Sequence, residues 1–430
     1  MNYIVIMAIG ALASVLTNRG IAVFNDGFRP IVPQFFEGKI SRQELAATSF
    51  AISFGLVVGF GIPTSIAASI ILIHSLLLTT DIIGTFCPSG IKGTILAAVI
   101  GGLYGLGILV GLQVIVDLFA KLPFNFLSLL GKVSSPVTAA FAIFPAVAIA
   151  YQHGFKKGGI TGMITVLAYF LIKRFAKFSL GAYTIALNAE GTSMLIGTLF
   201  MLYFASQVKG TQSSNESLTE VFSVQVKRIQ SNWILLAVMG GLIAAGTSLT
   251  MIAGDPTSLA LIAAGDWTSA GLAAFARAVG FIPLVFTTAI VTGVYGIAGC
   301  TFVFVAGIFL HGNPIFAFLA GAAIMIAEVF LIRLFAKGMD HFPGVREMGE
   351  HIRTSMNRVL EVALLVGGIV AAEAMAAGVG SLFVIGFYLL NKKAKKPIVD
   401  LAVGPVAAIC FGILLNILIV VGIYVLPVVA

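Results

Sequence analysis

Asp81 stands in Leu78-Thr-Thr-Asp-Ile-Ile-Gly84 and Glu328 in Ile326-Ala-Glu-Val-Phe330, each a carboxylate set among apolar residues. Arg277 interrupts Phe275-Ala-Arg-Ala-Val-Gly280 in the same way. A charge of this kind costs at least about 2.5 kcal/mol at the centre of a bilayer, so its retention points to work on ions, protons or charged solutes. Asp81 and Glu328 are candidates for coupling a proton or cation, and Arg277 for anchoring a substrate anion. A structural ion pair, or a long side chain reaching for the membrane edge, is the alternative for all three. His74 lies seven residues before Asp81, on the same face of a helix.

Two interruptions of apolar sequence, Lys132-Val-Ser-Ser-Pro136 and Thr292-Gly-Val-Tyr-Gly296, offer a second kind of chemistry. In lipid, a backbone group freed by a break costs several kcal/mol unless protein or a water-lined cavity satisfies it. Helix ends at such breaks present N–H and C=O groups to carboxylates, hydroxyls and cations. Ser134 and Ser135 are therefore candidates for solute contact, with close helix packing through small residues as the alternative. Asp255 and Asp266, in Ala253-Gly-Asp-Pro-Thr-Ser258 and Ala264-Gly-Asp-Trp-Thr-Ser269, read as helix N-caps. His153 and His311 each adjoin a glycine and read as interfacial.

Enzymatic motifs are missing from the sequence. It contains no Gly-x-x-x-x-Gly-Lys-Ser/Thr for a nucleotide, no His-Glu-x-x-His for zinc and no Gly-x-Ser-x-Gly elbow. Cys87, Cys300 and Cys410 are too widely spaced for a Cys-x-x-Cys metal or redox motif and read as packing residues. The expectation is a protein that is not an enzyme, with no cofactor and no metal.

The elements that must position these groups follow from composition. Of the 430 residues, 59% are hydrophobic and 10% charged, with a mean hydropathy of +1.08; a soluble domain carries about a quarter of its residues as charges. The expected fold class is an all-α polytopic membrane protein with about 10–14 transmembrane helices, broken helices or re-entrant segments among them. The net charge of +8 sits at the ends of apolar stretches, the pattern of topology signals and not of nucleic-acid binding. Apolar spans are expected at 46–62, 64–80, 91–120, 136–152, 159–173 and 192–205, then at 233–253, 257–283, 284–310, 315–335, 359–390 and 398–427. Met1 to Leu16 has no basic residue before its apolar run and reads as the first spanning helix and not as a cleaved signal. The prolines and mixed charges of 25–44 place that segment at the interface, and 206–232 reads as a polar linker. Lys392-Lys-Ala-Lys-Lys396 is the densest basic cluster and is expected on the cytoplasmic side.

One stretch is written twice. Phe170-Leu-Ile-Lys-Arg-Phe-Ala-Lys177 recurs as Phe330-Leu-Ile-Arg-Leu-Phe-Ala-Lys337, and Phe144 to Gly154 is echoed by Phe302 to Gly312. A duplication predicts a first repeat over 1–205 and a second over 233–430 around the linker, with the two interruptions at equivalent places and Lys121 opposite Arg277. The copies are inverted if 257–283 crosses the membrane once and parallel if it crosses twice. Inverted repeats are a common frame for secondary transporters.

Four separated motifs resemble those of the YhfT-like bacterial inner-membrane proteins. They are Ala22-Val-Phe-Asn-Asp-Gly-Phe-Arg-Pro-Ile-Val-Pro-Gln-Phe-Phe-Glu-Gly38, Ser134-Ser-Pro-Val-Thr-Ala-Ala-Phe-Ala-Ile-Phe-Pro145, Phe281-Ile-Pro-Leu-Val-Phe-Thr-Thr-Ala-Ile-Val-Thr-Gly-Val-Tyr295 and Glu361-Val-Ala-Leu-Leu-Val-Gly367. The resemblance runs nearly the whole length and implies a transporter of unassigned substrate in the bacterial inner membrane. Matched residue by residue, it covers Asp26, Arg29, Asp81, Ser134, Ser135, Arg277, Thr287, Thr288, Glu328 and Glu361, and it leaves out His74, His153 and His311. It thereby adds Thr287 and Thr288 to the residues expected to contact solute. The layout is also similar to the membrane subunits of ascorbate and galactitol phosphotransferase systems, which implies an elevator mechanism by fold-level analogy. The resulting expectation is a homodimeric secondary transporter of a small polar or anionic metabolite, driven by protons or sodium, with the lipid bilayer as its surroundings and no nucleic-acid partner. A phosphotransferase-type permease and a non-transporting membrane scaffold are the alternatives.

Overall fold

The structure is a computed structural model that describes residues 2–175, 177–180, 183–186, 189–208, 215–339, 343–395, 397–398 and 400–425. Helix α1 (Asn2–Asn18) leads through an irregular stretch to a short α2 (Val32–Phe36). Helix α3 (Arg42–Leu56) opens with a capping box: Ser41 accepts from the Glu44 N–H while Glu44 accepts from the Ser41 N–H. It continues through a π-helical turn, Val57–Gly61, into α4 (Ile62–Ala68). After the strand β1 (Ile71–Leu72) come α5 (Ile73–Phe86) and the long α6 (Ile91–Ala120). Helix α7 (Leu127–Leu130) runs through a 3-10 turn, Gly131–Val133, into α8 (Ser134–His153), which is followed by α9 (Phe155–Phe175). A hairpin of β2 (Lys177–Leu180) and β3 (Tyr183–Ala186) precedes α10 (Ala189–Ser206), α11 (Asn215–Gln230) and α12 (Trp233–Ser248). The strand β4 (Ile252–Ala253) precedes α13 (Pro256–Ala263), α14 (Trp267–Thr292), α15 (Phe302–Phe309) and α16 (Pro314–Met339). The chain closes with α17 (Pro343–Met375), α18 (Val379–Lys393) and α19 (Asp400–Val420).

Among the described residues, six helices are long and apolar enough to cross a membrane, or seven if a bent pair is one span. The fold is thus an all-α, multi-pass membrane architecture, and much of the remaining apolar sequence lies in shorter helices that meet at breaks. Several expected spans are divided differently. The stretches 46–62 and 64–80 become one helical run to Ala68, then a break, then α5. The stretch 284–310 is cut by an irregular segment at 293–301, and 359–390 is a hairpin of α17 and α18. Residues 257–283 hold the eight-residue α13, a turn, and the greater part of α14; at 1.5 Å per residue α13 spans only ~12 Å, too short to cross.

Lys132–Pro136 is not a break. Val133, Ser134 and Pro136 lie in helical backbone that runs on from α7, with Pro136 the third residue of α8, where it follows the 3-10 turn. Residues 206–232 are also more than a linker: α11 lies within them, its Val226 and Ile229 are buried, and Arg228 donates to the Gly20 carbonyl at 3.1 Å.

Close approach of small residues joins the longest helices. A Cβ on Gly10 of α1 would lie 2.2 Å from the Gly101 carbonyl oxygen of α6, and one on Gly240 of α12 would lie 2.7 Å from that of Gly321 on α16. Backbones this close gain dispersion along their whole length, the usual glue where lipid offers no hydrophobic drive.

Candidate functional site

Four helices end in a left-handed residue followed by a short extended segment. Gly20 after α1, Ser69 after α4, Thr250 after α12 and Gly293 after α14 have φ of 62°, 55°, 58° and 66°. Two residues beyond each of them a parallel pairing begins. Ala22 bridges Tyr295, with Val23 donating to the Tyr295 carbonyl at 2.9 Å and Tyr295 to that of Ile21 at 3.0 Å. Ile71 and Leu72 pair with Ile252 and Ala253. The first extended segment therefore joins the fourth and the second joins the third. Backbone freed by the breaks is satisfied here by other broken backbone, as an apolar surround demands.

A cavity of about 100 Å³ lies beside these pairings. Its polar wall comes from Asn25, Asp26 and Arg29 of the first irregular segment, His74 of α5, Arg277 of α14 and Thr301 at the start of α15. Its apolar wall includes Phe24, Phe60, Leu78, Phe281 and Leu284. His74 at the start of α5 and Thr301 just before α15 both line the cavity, so the N-terminal N–H groups of both helices add partial positive charge near it.

Arg29 is 1% exposed, an unusual degree of burial for an arginine. It donates from Nη2 to Asp26 at 2.6 Å and from Nη1 to the Thr288 hydroxyl at 2.5 Å. Its Nε is buried and has no partner among the described residues. Arg277 donates from Nη1 to the Gly254 carbonyl at 2.9 Å, lies 3.8 Å from Asp255, and stacks 4.8 Å from the centre of the Phe281 ring. Asp255 caps α13 through the Ser258 N–H at 2.8 Å, and Asp266 caps α14 through the Ser269 N–H at 3.0 Å, as their positions before each helix suggested.

The expected site residues divide. Arg277 lines the cavity, and Thr288 stands behind it as a support for Arg29. Thr287 is buried but outside the cavity wall. Asp81 is fully buried and also outside the wall; it accepts from the Thr17 hydroxyl at 2.9 Å, the Phe24 N–H at 3.1 Å and the Asn25 N–H at 2.8 Å. Glu328, again outside the wall, accepts from the Tyr295 hydroxyl at 2.8 Å and the Cys300 N–H at 2.9 Å. Each carboxylate clamps one irregular segment. Ser135 is exposed on α8 and away from the cavity, and the side chain of Ser134 lies outside the described residues. Lys121 follows α6, is exposed, and does not line the cavity that holds Arg277. His311 stacks on Trp267 at 3.7 Å, outside the cavity.

Reading the sequence as a linear pattern missed the Asp26–Arg29 pair as a cavity group, because 25–44 was expected at the interface. In the structure Val23, Asn25, Phe28 and Arg29 are buried. The available signal was Asn25-Asp-Gly-Phe-Arg29, whose charges fall only three residues apart, the spacing of a buried local ion pair.

Residues 2–424 match the YhfT family, described as a protein of unknown function. The chain is 35% identical over 438 residues to a protein of Escherichia coli (strain K12) named "Uncharacterized protein YhfT", with 98% of each covered. No solved structure matches it. The chain belongs to the YhfT family.

Proposed function

We propose that this protein is a secondary-active transporter that moves a small polar or anionic metabolite across the bacterial inner membrane, coupled to protons or sodium. The observation that carries this reading is the two-arginine cavity at the crossing of paired helix breaks. Irregular backbone in an apolar surround is tolerated where it lines a cavity, and transporters place their solute at such crossings. The crosswise joining of first segment to fourth and second to third is what two like halves, related by a twofold axis, would produce. An elevator-like displacement of one helix group against the other would then expose the cavity to each side in turn, and a homodimer would supply a fixed frame.

Solute contact passes to Arg29 and Arg277, with Thr288 holding Arg29 in place. Purified protein in proteoliposomes is expected to accumulate a small anionic metabolite when a proton or sodium gradient is imposed. Arg277→Gln should lower that uptake at least about tenfold, the loss of one charge-assisted hydrogen bond. Uptake equal to that of empty vesicles across a panel of small anions and polyols would reject transport and favour a scaffold role.

A further inference from the structure

The cavity holds two arginines and a single carboxylate among its described lining residues. That carboxylate, Asp26, is paired to Arg29 at 2.6 Å, and its side chain is 25% exposed while that of Arg29 is 2% exposed. Arg277 has Asp255 beside it at 3.8 Å. Each arginine thus has one carboxylate beside it, and the two pairs balance. An anion that entered alone would leave one negative charge uncompensated in a buried place, which proteins avoid by pairing or by protonation.

The geometry names the group that changes. Nε and Nη2 form the edge of a guanidinium that grips a carboxylate through two parallel hydrogen bonds. On Arg29, Asp26 occupies Nη2, and Nε has no partner among the described residues. A substrate carboxylate that took this edge bidentately would displace Asp26. Asp81 and Glu328 are poorly placed for the exchange, because each already accepts hydrogen bonds from an irregular segment and neither lines the cavity. A cavity of about 100 Å³ is smaller than the ~150 Å³ void that holds benzene, so the occupant has roughly four to six non-hydrogen atoms. Phe24, Phe60 and Leu78, which line the same cavity, suit a short carbon body.

Resting on the transport reading of this cavity, we infer that the solute is a short monocarboxylate, bound by the Nε/Nη2 edge of Arg29, and that the displaced Asp26 takes up one proton. A hydronium ion on the side to which the cavity is open gives up one proton, an O–H bond forms on Asp26, the Nη2 hydrogen bond passes from Asp26 to the substrate carboxylate, and Nε makes a new one to it. Anion and proton then occupy the site together, and the balance is kept. The charged and titratable groups around Asp26 are Arg29 on its own segment, Arg277 on α14, His74 on α5, Cys300 ahead of α15 and, behind the segment, Asp81.

The test is calorimetric titration of the detergent-solubilised full-length protein with acetate, propionate, lactate and pyruvate, in two buffers of different ionisation enthalpy. The wild type should take up about one proton per anion bound at pH 8, with affinity falling about tenfold per pH unit. Asp26→Asn, which imitates the protonated side chain, should bind without proton uptake and at least about tenfold more tightly than the wild type at pH 8. Binding to the wild type without proton uptake would overturn the inference even if the variant failed to fold. So would uptake that persists in Asp26→Asn and vanishes in Asp81→Asn or Glu328→Gln. Binding with uptake in detergent, but no flux of the same anion in proteoliposomes, would support the site and reject transport. Flux of an uncharged polyol with no binding of the four anions would keep transport and overturn the anion site.

Discussion

A helix break leaves backbone N–H groups bare, and a carboxylate oxygen is among the strongest acceptors that can cover them. Asp81 does this for Phe24 and Asn25, and Glu328 does it for Cys300. These two acids thus act first on shape, holding the segments that carry Arg29 and Tyr295. Asp81→Asn keeps one acceptor oxygen and turns an amide toward the Phe24 or Asn25 N–H, so it should cost about 2 kcal/mol or more of stability. The expected result is a lowered thermal midpoint in detergent, with coupled flux retained by the protein that remains folded. An unchanged midpoint with coupling lost would put Asp81 back on the ion path. Arg277, Asp81 and Glu328 were legible in the sequence because a charge in an apolar run has few explanations. Asp26 and Arg29 were not, since Pro30, Pro33 and the nearby Glu37 and Lys39 give the same letters an interfacial look. The burial of Arg29 depends on Thr288, 259 residues away, and on the packing of Phe28 and Val23 against Val294.

The crossing depends on four left-handed caps, and only two are glycine. A non-glycine residue there carries roughly 1–2 kcal/mol of strain. Ser69 is exposed, so Ser69→Gly removes strain and little packing; after the greater unfolded-state entropy of glycine, a net gain of about 0.5 kcal/mol is expected. Gly20→Ala is the counterpart: φ is +62°, so a loss of about 1–2 kcal/mol is expected, with the half-exposed Phe36 ring moving aside for the new methyl. Thermal midpoints of both variants in detergent check this, and a stabilising Gly20→Ala would refute the cap assignment. The helices themselves were readable from apolar runs, as α6 at Ile91–Ala120 shows. The pairings were not, because main-chain groups make them and leave no mark in the side-chain pattern. For the same reason Lys132–Pro136 resembled Thr292–Gly296 in letters, yet only the latter opens the helix.

At the scale of the whole chain the helices fall into two groups. One packs α1 on α5 and α6, α12 on α15 and α16, and α1 on α12, and it contains both crosswise pairings. The other packs α17 on α8, α18 and α19, and α8 on α9 and α10. Helix α14, which carries Arg277, touches α10 and α17 of the second group and α15 of the first, so the cavity lies at the seam. If the groups shift past one another during transport, a covalent tie across the seam must stop it. Gly280 of α14 offers the place, since a Cβ built there would lie 3.5 Å from the Met194 Cγ of α10. Met194 Cγ stands where the Sγ of a cysteine would sit, so a sulfur there is within reach of one carried on the Gly280 Cβ. The double variant Met194→Cys/Gly280→Cys, oxidised in proteoliposomes, should lose nearly all uptake and recover it on reduction, while each single variant keeps its uptake under oxidation. Binding of the anion should survive the cross-link, because Arg29 and Arg277 stay where they are. Full uptake in the oxidised, cross-linked protein would show that α10 and α14 travel together, and would move the sliding surface away from this seam.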